Sequence, residues 1–143
     1  MAYFELRSAR DMFDKAEREF AKLSADFTID NVFNFFVTAY HIQDYVRRSS
    51  SVTWSDVDSF LADIDIKDCR DLCDKGKHLQ LTRRADPITH ISSGALGGAP
   101  LNTISINGGG KWLLLTDDRQ VEIESLARRV LDKWRNFLNQ HDL

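Results

Sequence analysis

Residues 29–48 read IDNVFNFFVTAYHIQDYVRR. Phe33, Phe35, Phe36, Val37, Ala39, Tyr40, Ile42 and Val46 spread apolar surface around most of a helical circumference. A helix that apolar needs neighbours on several sides, so the stretch predicts the central helix of a bundle. Its start has a cap in Thr28 or Asp30. One feature interrupts the apolar surface. Asn31, Asn34, Thr38, His41 and Tyr45 recur at steps of three and four and line up as a polar stripe. Such a stripe is either a seam used for binding or a side turned to water.

Working outward, residues from about Tyr3 to Ser24 place Leu6, Ala9, Phe13, Ala16, Phe20 and Leu23 on one narrow seam, with charges of both signs between them. The short connection at 26–30 predicts an antiparallel pairing with the central helix. Beyond Arg47-Arg48 the run SSSVT reads as a loop, and Thr53 or Ser55 caps a short helix carrying Trp54, Val57, Phe60, Leu61 and Ile64. A further helix follows from about Ile66, with Cys69, Leu72 and Cys73 inward and Gly76 as its expected C-cap. Asp56, Asp58, Asp63, Asp65, Asp68, Asp71 and Asp74 are expected outward, forming an acidic face.

From Gly76 to Gly110 the character changes. All seven glycines and both prolines lie there, which excludes continued helix. Residues 87–92, 102–106 and 111–116 read as short strands, with SGALGGAPL a loop (93–101) and NGGG a turn. Asp117 or Asp118 is expected to cap a last helix whose seam is Ile123, Leu126, Val130, Leu131, Trp134, Phe137 and Leu138. Arg128, Arg129, Lys133 and Arg135 give that helix a basic face. The expected fold is mainly α. It is a single domain over residues 1–143: a four- to five-helix bundle with a small antiparallel β-ribbon, about 87–116, inserted before the C-terminal helix.

The length and the 43% hydrophobic content suit one core. A formal charge of −3 excludes a global electrostatic footprint for nucleic acid, although a local basic patch remains open. No apolar run approaches the roughly 20 residues that span a bilayer, and the N-terminus shows no basic-then-apolar leader, so a cytoplasmic protein is expected. Cys69 and Cys73, four apart on one helix, are expected as reduced, inward thiols. They lack the Cys-x-x-Cys spacing of a zinc site, the aspartates lack the order of a calcium loop, and the glycines match neither GxxxxGK[ST] nor GxGxxG. No metal or other cofactor is expected.

The densest polar cluster is RDLCDKGKH (70–78), followed by Arg83 and Arg84. Histidine exchanges protons near neutral pH, and flanking lysine and arginine suit a phosphate. The commoner role of cations at such a place is to satisfy the last carbonyls of a helix. His41 and Asp44, three apart on the central helix, form a second polar pair. Its ordinary counterpart is a hydrogen-bonded interior histidine.

NFFVTAYHIQD (34–44) together with DLCDKGKH (71–78) resembles the HEPN-like helical bundles (higher eukaryote and prokaryote nucleotide-binding domains) of bacteria. The resemblance implies a bundle and a homodimer. In catalytic members an Arg and a His with four to six residues between them form a metal-independent ribonuclease site. This chain has seven residues between Arg70 and His78, and Pro87 interrupts the span from Arg84 to His90. Arg70 and His78 are the residues the resemblance carries over as catalytic candidates.

Three functions are compatible with these patterns. The first is a non-catalytic interaction module that binds another protein, steered by its acidic and basic faces. The second is a HEPN-like ribonuclease or RNA binder using His78 and Arg70, with Lys77, Arg83 and Arg84 on phosphates. The third is a small-ligand sensor with a polar pocket near His41 and His78, where Asp44, Asp71 and Asp74 add acceptors.

Overall fold

Each of the first three helices begins where a hydroxyl side chain accepts a backbone N–H. In the computed structural model, which describes residues 6–78, 88–92, 111–115 and 119–143, Ser8 caps α1 (Ala9–Ala25), Thr28 caps α2 (Ile29–Arg48) and Thr53 caps α3 (Trp54–Leu61). At α1 the cap is reciprocal, since the Asp11 carboxylate accepts from the Ser8 amide. Asp63 opens α4 (Ile64–His78): its side chain accepts from the Asp65 amide and its carbonyl from the Lys67 amide. Glu122 caps α5 (Ile123–Gln140), accepting from the Glu124 and Ser125 amides at 3.0 and 2.9 Å.

The described residues form a mainly helical bundle with an antiparallel sheet before the C-terminal helix, as the apolar patterning predicts. The sheet order is β1 (Ile88–Ser92), β2 (Lys111–Leu115), β3 (Gln120–Glu122), with Ile88 opposite Leu115 and Leu113 opposite Glu122. Successive strand residues point to opposite faces, and Leu113 and Leu114 are both fully buried, so both faces of β2 are covered.

α2 lies at the centre, packed against α1, α4, α3 and α5. Its Phe35, Phe36, Ala39, Ile42 and Val46 are fully buried, as expected of the most apolar helix. α1 runs antiparallel to it: the Asn31 side chain donates to the Asp26 carbonyl at one end, and Lys15 donates to Thr38 Oγ1 at 2.9 Å midway. α5 crosses α1, with Arg135 reaching Glu17, and its Trp134 packs 4.4 Å from the Phe60 ring. The seams expected on α1 and α5 are therefore packed into the core of the chain.

Five expectations are corrected. The first helix begins at Ala9 and not near Tyr3, because Ser8 is extended and its side chain caps the Asp11 amide, which leaves Leu6 outside the helix. The last helix begins at Ile123, because residues 120–122 pair with β2 instead of forming its first turn. Gly76 does not end α4, which continues to His78. Glu19 of the charged side of α1 is 6% exposed, held by Lys15 and Lys22. Asp65 and Asp68, expected outward, are 3% and 5% exposed. The expected strand at 102–106, the glycine loop and turn, and Asp117 and Asp118 lie outside the described residues.

Candidate functional site

Buried Asp65 and Asp68, with half-buried Asp63 beside them, carry a dense group of ion pairs. Asp65 accepts from Arg119 at 2.6 Å, from Lys133 at 2.7 Å and from Arg129 through Nε at 3.1 Å and a terminal nitrogen at 3.2 Å. Asp68 takes two hydrogen bonds from Arg119, at 2.9 and 2.6 Å, and Asp63 takes two from Lys133, at 2.7 and 2.9 Å. Three carboxylates thus meet three cations, tying the start of α4 to α5 and to the residue before β3. Burial pushes the Asp65 carboxyl up, but hydrogen bonds from Arg129, Lys133 and Arg119 outweigh it and hold the group well below the usual carboxylate range. For Asp68 burial prevails over Arg119, and its pKa is raised. Arg119 and Lys133 are desolvated too, yet their aspartate partners raise both. Each Asp65 oxygen is bonded to cations of its own chain, so the cluster serves the fold as a charge clamp.

The acidic and basic faces expected to choose partners are in good part each other's partners. Arg129 and Lys133 of the basic face bind Asp65 of the acidic one, and Arg119 binds Asp65 and Asp68, whereas Arg135 pairs outside the acidic face, with Asp132 and Glu17. Nothing in the sequence pattern paired Asp65 and Asp68 with their cations, because Arg119, Arg129 and Lys133 stand more than fifty positions away.

The predicted site residues are dispersed. His41 is half-buried, its Nδ1 2.7 Å from the Val37 carbonyl and its ring edge-on to Tyr40. Asp44 is exposed, Asp71 is paired with Arg70 at 3.2 Å, and Asp74 is half-buried on the same helix. Lys77 and His78 form the last turn of α4, and Arg83 and Arg84 lie outside the described residues. Arg70 and His78 share α4 but stand eight residues apart, about 12 Å along its axis and about 80° around it, so the helix does not set them side by side.

The register between helices also separates His41 from His78. Arg47 of α2 pairs with Asp58, while the Phe36 carbonyl receives the Cys69 thiol. As numbers rise along α3 and α4 they fall along α2, so α4 runs antiparallel to it. From the Cys69–Phe36 contact, His78 and His41 lie in opposite directions, about 20 Å apart along the axis at 1.5 Å per residue. Cys69 and Cys73 are reduced thiols, both fully buried, and burial pushes the Cys69 thiol well up. Among the described residues no group of three or more His, Cys, Asp or Glu side chains is placed to hold a metal ion. No helix among them is long and apolar enough to cross a membrane.

What the structure does assemble is one end of the bundle. There the start of α1, the end of α2, the start of α3 and the residues after α5 come together. A cleft of about 460 Å³ is lined by Leu6, Arg7, Arg10, Tyr45, Arg48 and Leu143, among others. Arg48 lies over the Tyr45 ring at 6.0 Å, and Arg47, one residue earlier, lies over the Trp54 ring at 5.0 Å. Trp54 is 66% exposed, the most exposed of the large hydrophobic side chains described. Arg47 is held in place by Asp58 at 2.8 Å. A second hollow of about 340 Å³, beside Phe60, Phe137 and His141, lies between α3 and the end of α5.

The polar stripe of α2 explains itself in this frame. Asn31 and Thr38 suture α2 to α1, and Tyr45 opens onto the cleft. Sequence reasoning missed the site because Arg7 and Arg10 look like any solvated charges. The one available signal was Arg47-Arg48 directly before a serine loop and Trp54. Comparisons of the chain with protein-family models, with characterised proteins and with solved structures give no match.

Proposed function

We propose that the protein is a non-catalytic interaction module that binds another protein through the bundle end bearing Trp54. The observation that carries this reading is the exposed indole of Trp54, braced by Arg47, which is itself fixed by Asp58. Tryptophan and arginine are the residues most enriched at binding hot spots, and a braced side chain loses little freedom on binding. The charges of Asp63, Asp65 and Asp68 with Arg119, Arg129 and Lys133 are paired within the chain, whereas the Trp54 indole stands outward. Capture from cell extract by the tagged protein, beside Trp54→Ala and a control Lys67→Ala, tests the reading. A partner identified with wild type and control, lost with Trp54→Ala and bound again when purified, supports it. Equal recovery by Trp54→Ala refutes this surface.

The ribonuclease reading remains the second proposal. Its support is that α4 carries Arg70, Lys77 and His78 on one unbroken helix. Incubation of a mixed RNA pool with chelator present, wild type beside His78→Ala, decides it. Cleavage lost only in the variant would put this reading first, and no cleavage by wild type removes it.

A further inference from the structure

We propose that the arginine-lined cleft at the start of α1 is a binding site for an acidic peptide segment, the partner chemistry behind the interaction reading on which this inference rests. The cleft combines three guanidinium groups, Arg7, Arg10 and Arg48, with the apolar surfaces of Leu6, Ala9 and Tyr45. A bare inorganic anion would leave that apolar lining uncovered. A peptide carrying carboxylates beside an apolar side chain covers both.

The cleft also shows how a main-chain oxygen is held. Arg10 grips the Leu143 oxygen through two nitrogens, one at 2.9 Å, and reaches Asn139 Oδ1 at 3.0 Å. This fork geometry is how arginine recognises peptide and carboxylate oxygens. Arg48 is exposed and, among the described residues, makes no ion pair; its guanidinium lies over the face of Tyr45. Asp11, in the first turn of α1 beside the cleft's Arg10, accepts from the Arg7 and Ser8 amides at 2.9 and 3.0 Å. These backbone bonds, that from Arg7 foremost, lower its pKa. Arg48, with Arg7 and Arg10 in the same lining, makes the cleft positive, and an extended acidic segment is complementary to it.

The test uses the full chain and a fluorescein-labelled, glutamate-rich peptide of about twelve residues with leucines interspersed, beside its glutamine counterpart, at low and at physiological salt. Polarisation should show binding of the glutamate peptide at low salt that weakens at least tenfold with Arg48→Glu and with Arg7→Glu. The same charge change at Arg128→Glu, on exposed α5 surface away from the cleft, should weaken it less than threefold. Arg48 is exposed, so its variant should melt with the wild type. No binding of the glutamate peptide, equal binding of the glutamine peptide, or equal loss with Arg128→Glu overturns the proposal. Displacement of the peptide by polyuridine RNA at lower concentration also overturns it and makes the cleft a nucleic-acid site. Failure of the two readings is distinguishable. Peptide binding with partner capture indifferent to Trp54→Ala keeps the cleft and removes the Trp54 surface, and the reverse result does the opposite.

Discussion

Replacing Asp65 by asparagine should be among the most damaging single polar changes in this chain. Its carboxylate side chain is 4% exposed and is bonded by Arg119, Arg129 and Lys133. Removing one member of a buried ionic group costs about 3–5 kcal/mol, chiefly because the remaining charges stay desolvated and unpaired. Here the three cations are 24%, 41% and 33% exposed and can turn partly to water, which places the cost near the lower bound, about 3 kcal/mol. For a chain of 143 residues the unfolding entropy is about 0.3 kcal/mol/K at the midpoint, so Tm should fall by about 10 °C. Removing a single cation, as in Lys133→Met, leaves Asp65 two partners and should cost about 1 kcal/mol. In a double-mutant cycle the Asp65→Asn and Lys133→Met losses should be strongly non-additive. Circular dichroism melts and urea titrations of the four proteins measure this. A melt of Asp65→Asn within about 2 °C of wild type, or fully additive losses, would refute the clamp.

The remaining expectations concern pH, thiols and caps. Asp65 has a folded pKa below its unfolded value, so its stabilisation is present above the ordinary carboxylate range near ~3.9 and is lost as pH falls below it. Asp68 is raised, so its contribution has the opposite sign: stability falls as pH rises through its folded pKa. Urea midpoints against pH should therefore show a shallower acid limb for Asp65→Asn and a steeper one for Asp68→Asn, and parallel profiles for all three proteins would contradict the assignment. Cys69 and Cys73 are fully buried, and the Cys69 thiol is pushed up by burial, then by Cys73 and Asp68. Ellman's reagent should label neither in native protein and both in denaturant; rapid native labelling would be inconsistent with this core. Glu122→Ala removes the acceptor for two amides at the start of α5 and should cost about 1 kcal/mol by urea titration, whereas an unchanged midpoint would place the cap elsewhere.

The division between sequence and structure follows from the range of the interactions. Local periodicity determined the helices, because an apolar repeat of three and four can be buried only as a helix, and the hydroxyls at 28 and 53 can satisfy their first amides without help from elsewhere. The start of the first helix, read near Tyr3, was misplaced because the seam continues through Leu6 past the Ser8 cap. The glycine and proline content of 76–110 likewise determined that the helical array is interrupted. At the boundary the same logic failed: residues 120–122 became strand since β2 offers them a ladder, and a neighbour's hydrogen bonds outweigh local preference. Only the tertiary structure decided which charges face one another. An aspartate on a helix reads as solvated until α5 brings Arg129 and Lys133 over Asp65, and Arg119 arrives from before β3. The same holds for the candidate site. Arg7, Arg10 and Arg48 are ordinary surface cations in sequence, and they become a cleft because the antiparallel pairing of α1 with α2 and the return of α5 bring the start of one helix to the ends of two others. Electrostatic partnership depends on distance through space, which periodicity along a chain does not encode.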